Sequence, residues 1–300
     1  MSHKTALVIR ATGSQGKAVT EHLLKAGWAV HALVRDPEDA RALALKKIGA
    51  SLHKGELSDK SSVEAALVGC TAVFLNQMPS LTDRSAETRE AGAALDAAKK
   101  AGAEFVVHST TLPLNDPNIK EKLEKSIVAP AILDKGDVEK LVKASGIPFA
   151  IIRPGYFMTN LIGPLSSYAF PDLASGKFLT SFETDTVLPL VDTYDIGAIA
   201  AAVFEDQPRY AGKTISFAGE KLGIQDIVKE LSIVAGKEVE VVFRTEEETA
   251  KESATNPFIA GQTLSIGLHK LVDIEEVKKL GVPLTSFRQF LEKHKDAVLT

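Results

Sequence analysis

The residues with the clearest chemical potential stand near the start of the chain. Arg10-Ala11-Thr12-Gly13-Ser14-Gln15-Gly16 follow the apolar run Ala6-Leu7-Val8-Ile9 and lead into a helix-like stretch over residues 17–25. A strand that turns on glycines into a helix builds an anion site. Backbone N–H groups can approach a pyrophosphate there, and the helix adds the positive end of its dipole. Thr12, Gly13, Ser14, Gln15 and Gly16 are therefore candidate cofactor ligands. In a G-x-x-G-x-x-G frame the first glycine falls on Arg10. A side chain at that place can crowd the turn, or it can reach a phosphate through its guanidinium.

A second apolar run ends in Val34-Arg35-Asp36-Pro37. This is the register at which dinucleotide sites read the adenine ribose, using an acid for a 2′-hydroxyl or an arginine for a 2′-phosphate. Asp36 has a competing duty as a helix N-cap ahead of Pro37. Arg35 has no such local duty, so the pattern favours NADP(H) over NAD(H).

These groups need a sheet to hold them. Apolar runs at 29–34, 71–75, 105–107 and 149–152 read as parallel strands buried on both faces. Helices are expected between them, at 61–68, 83–100 and 131–144, with Gly27 ending the first one. Such alternation gives an α/β, doubly wound parallel sheet. After Arg153-Pro154-Gly155 the rhythm breaks. Residues 156–182 are rich in aromatics, Gly, Pro and Ser, which fits either a lid over a substrate or an apolar seam between lobes. A helix at 195–205, a strand at 214–218 and a smaller C-terminal lobe follow. The expected division is a nucleotide-binding core over 1–155, completed by about 190–218, and a substrate-binding lobe from 156–189 and 219–300.

Composition narrows the function classes. The chain has 300 residues, 45% hydrophobic and 25% charged, with a net charge of −4. That balance argues against a nucleic-acid partner, since phosphate neutralisation needs excess positive charge. No apolar run approaches the roughly 20 residues of a membrane helix. The N-terminus enters the first strand at once, without room for a signal peptide, and Cys70 is the only cysteine. A cytoplasmic protein without disulfides is expected. The seven histidines show no ligand spacing, so no metal site is expected.

The motifs, taken together, resemble the NmrA-like proteins of the atypical short-chain dehydrogenase/reductase superfamily. Residues 10–16 resemble their G-A-T-G-x-Q-G turn, and Gly55-Glu56-Leu57-Ser58-Asp59 is similar to their G-D-L-x-D segment. Lys135-Gly136-Asp137-Val138-Glu139, Arg153-Pro154-Gly155-Tyr156-Phe157-Met158-Thr159-Asn160 and Val191-Asp192-Thr193-Tyr194-Asp195-Ile196-Gly197 match later family segments in the same order. The resemblance implies a Rossmann sheet of strand order 3-2-1-4-5-6-7, an NADP(H)-type site, and Glu56 and Leu57 near the adenine.

Classical relatives place tyrosine four residues before a lysine on one helix face. Here Lys135 takes the lysine's place, but Ala131 stands where the tyrosine would be. Three groups can substitute as proton donor or acceptor: Lys135 itself, His108 at the end of the fifth strand, and Tyr156 after the sixth. Each has a plainer reading as well. Lys135 can be a ribose clamp, His108 a hydrogen-bonded strand-end residue, and Tyr156 a packing residue. Lys135 and Tyr156 are also candidate cofactor contacts. Asn76 and Gln77, after the fourth strand, are expected along the middle of the cofactor, and Ser109 and Thr110 beside the nicotinamide ribose or a substrate carbonyl.

Three functions fit these residues. The first is an NADPH-dependent reductase of a small apolar carbonyl, enone or imine. The second is an NADP(H)-sensing protein with a regulatory protein partner and no turnover. The third is a non-redox cyclase or isomerase that keeps the cofactor as a scaffold. Fold analogy alone does not separate them.

Overall fold

Strands β1 (Thr5–Val8), β2 (Ala29–Val34), β3 (Ser51–Lys54), β4 (Ala72–Leu75), β5 (Phe105–Ser109) and β6 (Phe149–Pro154) carry the fold. In chain order β7 (Tyr156–Phe157), β8 (Lys177–Thr180), β9 (Val187–Val191), β10 (Thr214–Phe217), β11 (Glu220–Gly223) and β12 (Glu240–Phe243) follow. They are seen in a computed structural model, which describes residues 4–80 and 83–300. The main sheet has the order β3-β2-β1-β4-β5-β6-β10, the expected doubly wound arrangement with β10 in the seventh place. The pairings among β1–β6 are parallel. β1, β4 and β5 are buried throughout, which is why they read as continuous apolar runs. β3 escaped the sequence reading because it is an edge strand, Ser-Leu-His-Lys, with no fully buried position.

Two compact units form. The first takes residues up to Thr111 together with Pro130–Arg153 and Thr193–Ile215; the second takes Leu112–Ala129, Pro154–Asp192 and Ser216–Thr300. The division differs from the sequence expectation at 112–129. Those residues go with the second unit, where the Asn115 amide donates to Ser216 Oγ at 2.7 Å and to the Leu271 carbonyl at 3.0 Å.

In the first unit, Leu7, Leu33, Val73 and Val106 of the sheet pack with Ala94 and Ala98 of helix Ala86–Lys100 and Val138 and Val142 of helix Ala129–Ala144. Helix Ser14–Lys25 packs on helix Thr193–Glu205. Their approach is close: a Cβ on Gly197 would lie 2.4 Å from the Ala18 carbonyl carbon. Gly27, at φ 82°, follows the first helix in the left-handed conformation that ends helices. The expected cap at Asp36 is corrected. Helix Ala40–Lys47 starts three residues later, capped by Asp39, while Asp36 accepts from the Glu38 N–H in a turn.

The second unit has its own core. Met158, Phe170, Phe178 and Phe182 are buried with Ile224, Leu231, Phe287 and Phe290, and the rings of Phe170 and Phe178 stack at 4.2 Å. Three aromatics of 156–182, Phe170, Phe178 and Phe182, are thus core residues, while Tyr168 is exposed. Two small sheets complete the unit: β11-β9-β7 and β12-β8. Among the described residues no helix is long and apolar enough to cross a membrane.

Candidate functional site

The turn after β1 has the geometry of an anion cradle. Gly13 caps helix Ser14–Lys25 with extended backbone and no side-chain hydrogen bond, so the first-turn N–H groups keep their positive end uncovered by a capping side chain. Gly16 is obligatory, because a Cβ there would lie 2.2 Å from the Arg10 carbonyl oxygen. Arg10 holds φ 55°, the left-handed conformation that glycine adopts without strain. An uncapped helix start beside two crowded glycines fits a dinucleotide pyrophosphate.

Beside this turn lies a cavity of about 400 Å³. Its wall gathers residues from four strand ends: Arg10, Thr12 and Gly13 after β1, Leu33 to Arg35 at β2, Gly55 to Ser58 after β3, and Gln77 and Met78 after β4. Arg41 and Glu90 also border it. The cavity therefore brings together Thr12, Gly13, Arg35, Glu56, Leu57 and Gln77 of the expected ligands. Ser14, Gln15 and Gly16 lie in the first helical turn, outside the cavity wall, and Asn76 is buried at the end of β4. Arg41 is held by both Asp39 oxygens. Burial pushes the Glu90 carboxyl above the usual carboxylate range, against a hydrogen bond from Gln77.

Lys135 is a tethered lysine. Its Nζ lies 3.0 Å from Glu87 Oε2 and donates to the Gln77 carbonyl at 3.3 Å, with Glu87 only 1% exposed. Gln77 in turn donates through Nε2 to the Glu87 carbonyl at 2.7 Å. Ala131, one turn earlier, is buried and carries no hydroxyl. Glu87 was not legible as a partner, since 48 residues separate it from Lys135. The alanine-rich run 86–98 holds three acids, Glu87, Glu90 and Asp96, and nothing in the sequence singles out the first.

His108 is fully buried at the end of β5 and hydrogen-bonded to the scaffold. Its Nδ1 lies 3.1 Å from the Leu75 carbonyl, an acceptor, so Nδ1 carries the proton. Burial drives its pKa down to about 4, with the hydrogen bond to Leu75 opposing and the charge of Lys135 assisting. Near pH 7 the ring is therefore held neutral. The same shift makes a stability prediction. Unfolded His108 binds a proton below its ordinary 6.5 and folded His108 only below about 4, so stability falls as pH drops through that window. The loss from this group between pH 7 and pH 5 is about 2 kcal/mol. His108→Asn keeps a donor for Leu75 without a titrating ring, and urea unfolding at both pH values is expected to show a shallower pH dependence. Equal slopes for both proteins would refute the assignment.

The neighbours of His108 are committed to the scaffold. Ser109 Oγ donates to Gln15 Oε1 at 2.7 Å, which ties β5 to the glycine-turn helix. Thr110 Oγ1 donates to Glu139 Oε1 at 2.9 Å, and Glu139 also receives the Arg153 guanidinium. Tyr156 belongs to the second unit, where its ring meets Phe182 edge-on at 6.1 Å. Burial raises its phenol pKa, against a hydrogen bond from Asn160, the reverse of what activates a proton donor.

Comparison with known proteins bears on the family and the fold. The NmrA-like family model matches residues 2–280. An NAD(P)H azoreductase from Xenophilus azovorans is 27% identical over 300 residues, covering 96% of this chain and 97% of its own. The crystal structure of an NADPH-dependent quinone oxidoreductase from Escherichia coli, complexed with NADPH, is 25% identical with a TM-score of 0.74, covering 97% of this chain and 99% of that one. The negative transcriptional regulator NmrA in complex with NADP superposes with a TM-score of 0.77 over 98% of this chain and 95% of that one, at 20% identity, a likeness of fold alone. The chain belongs to the NmrA-like family.

Proposed function

We propose that this chain is an NADPH-dependent reductase of a small apolar acceptor: a carbonyl, enone or imine conjugated enough to accept hydride readily. The observation that carries the reading is the arginine-bordered cavity set against an uncapped, glycine-framed helix start. Arg35 takes the 2′-phosphate, the first turn from Ser14 takes the pyrophosphate, and Glu56 and Leu57 border the adenine. Gln77 and Lys135 follow along the sheet edge. When bound, NADPH supplies the hydride.

Ala131 shapes the substrate class. A well-placed general acid contributes on the order of 100- to 10,000-fold in rate. An acceptor whose reduced form is a delocalised anion needs less of that help, because water can complete the protonation. An unconjugated ketone yields an alkoxide and needs the acid. Lys135 is the side chain we assign to that help, and Glu87 fixes where its Nζ sits. The relatives include an NAD(P)H azoreductase and an NADPH-dependent quinone oxidoreductase, and azo groups and quinones are conjugated acceptors.

The test combines calorimetry with NADPH and NADH and an assay of NADPH consumption over quinones, azo compounds, enones, imines and simple ketones. Tighter binding of NADPH than NADH is expected, with turnover of conjugated acceptors and little of simple ketones. Tight binding with no consumption of any acceptor would instead favour the sensing reading, in which the Lys135–Glu87 pair is purely structural. Product formation that persists with NADP+ in place of NADPH would point to non-redox chemistry.

A further inference from the structure

The glycine turn contains a residue that its own backbone disfavours. Arg10 stands at φ 55°, where glycine is unstrained and a long side chain is not. Its carbonyl also receives the Gly13 N–H at 2.9 Å, so the conformation is locked into the turn. Arginine here needs a compensating role. The cavity supplies one, since Arg10 borders it together with Arg35 from the end of β2. Partial burial and the like charge of Arg35 both lower the Arg10 pKa, with Glu90 opposing. Neither guanidinium has a hydrogen bond or ion pair among the described residues. Two unpaired guanidiniums within electrostatic reach of each other are a repulsive arrangement until a multivalent anion lies between them.

We infer that Arg10 and Arg35 form a two-guanidinium clamp for the 2′-phosphate of NADPH, with Arg10 as a second specificity determinant. The inference rests on the NADPH-dependent reading above and adds a residue to it. The pyrophosphate is the alternative partner for Arg10. The observations favour the 2′-phosphate, because Arg10 shares the cavity and the field of Arg35, and the helix start already serves the pyrophosphate.

The experiment compares wild type with Arg10→Gly, Arg10→Asn and Arg10→Lys. Glycine removes both charge and strain, asparagine removes charge while tolerating the left-handed backbone, and lysine keeps the charge. Affinities are measured for NADPH, NADH, adenosine 2′,5′-bisphosphate and ADP, with thermal midpoints of the unliganded proteins. A charge-assisted contact to a phosphate corresponds to about a 10- to 100-fold change in affinity. Glycine and asparagine variants are expected to lose that factor for NADPH and the bisphosphate, and to keep NADH and ADP within about threefold. The lysine variant falls between. The unliganded Arg10→Gly protein is expected to melt no lower than wild type, since a strained position has been relieved. Unchanged NADPH affinity in the glycine and asparagine variants overturns the clamp while leaving the reductase reading intact, and so does equal loss of NADPH and NADH. Wild type that binds neither nucleotide overturns the reading beneath it, and the clamp with it.

Discussion

Glu139→Ala is expected to destabilise the first unit by about 3–5 kcal/mol, the range for removing one partner of a buried ion pair. Glu139 is 2% exposed, receives Arg153 through Nε at 2.9 Å and Nη2 at 2.6 Å, and accepts the Thr110 hydroxyl at 2.9 Å. Burial alone would raise its carboxyl pKa. The Arg153 hydrogen bonds and charge, with Thr110 and Lys143, reverse that and hold it below the usual range. Its stabilising contribution is therefore complete above the ordinary glutamate value and is lost as pH falls through the lowered one. Alanine removes both carboxylate oxygens that Arg153 meets here, and the melting temperature should fall on the order of 10 °C. Glu139→Gln keeps one acceptor oxygen and should lose less. Circular dichroism melts of the three proteins decide the matter, and a shift within about 2 °C for alanine would mean the pair adds little beyond packing.

The second large effect concerns the turn itself. In Gly16→Ala the added methyl would meet backbone at 2.2 Å from the Arg10 carbonyl oxygen and 2.8 Å from Ala11 Cα. Neither neighbour can rotate away, so the turn must open. Several kcal/mol of stability should be lost, along with nucleotide affinity by about 100-fold or more, because the N–H groups that face the pyrophosphate move with the turn. Gly13→Ala is a graded control, since its Cβ would lie 3.3 Å from the same oxygen. Gly92, inside helix Ala86–Lys100, meets nothing within 4 Å. Gly92→Ala should therefore stabilise by about 0.5–1 kcal/mol. Nucleotide titration and thermal melts should rank the variants Gly16, Gly13, Gly92 in falling severity. Full affinity in Gly16→Ala would sink the assignment of this turn.

Much of the scaffold was legible because burial leaves a direct mark: β1, β2, β4, β5 and β6 each carry an apolar run, interrupted in β2 by His31. The glycine turn and Arg35 were legible because their register to those strands is set by local geometry. What escaped depends on distant pairing or on absent contrast. The edge strand β3 has no apolar run to announce it. The choice between Asp36 and Asp39 as cap turns on where helix Ala40–Lys47 begins, and both residues are good caps. Glu87 as the partner of Lys135, and the allegiance of 112–129 to the second unit, are fixed only when separate parts of the chain meet. Tyr156 and its aromatic neighbours have the composition of a lid, yet the same apolarity packs them with Ile224, Phe287 and Phe290.

The pairing of helix Ser14–Lys25 with helix Thr193–Glu205 has a consequence for synthesis on the ribosome. The face around Ala18 is synthesised well before the surface carrying Gly197 that closes over it, about three-fifths of the 300 residues later. A nascent chain that ends between the two helices must carry that flank, with Ala18, Val19 and Leu23, uncovered. Chaperones can bind that flank until the later helix leaves the exit tunnel.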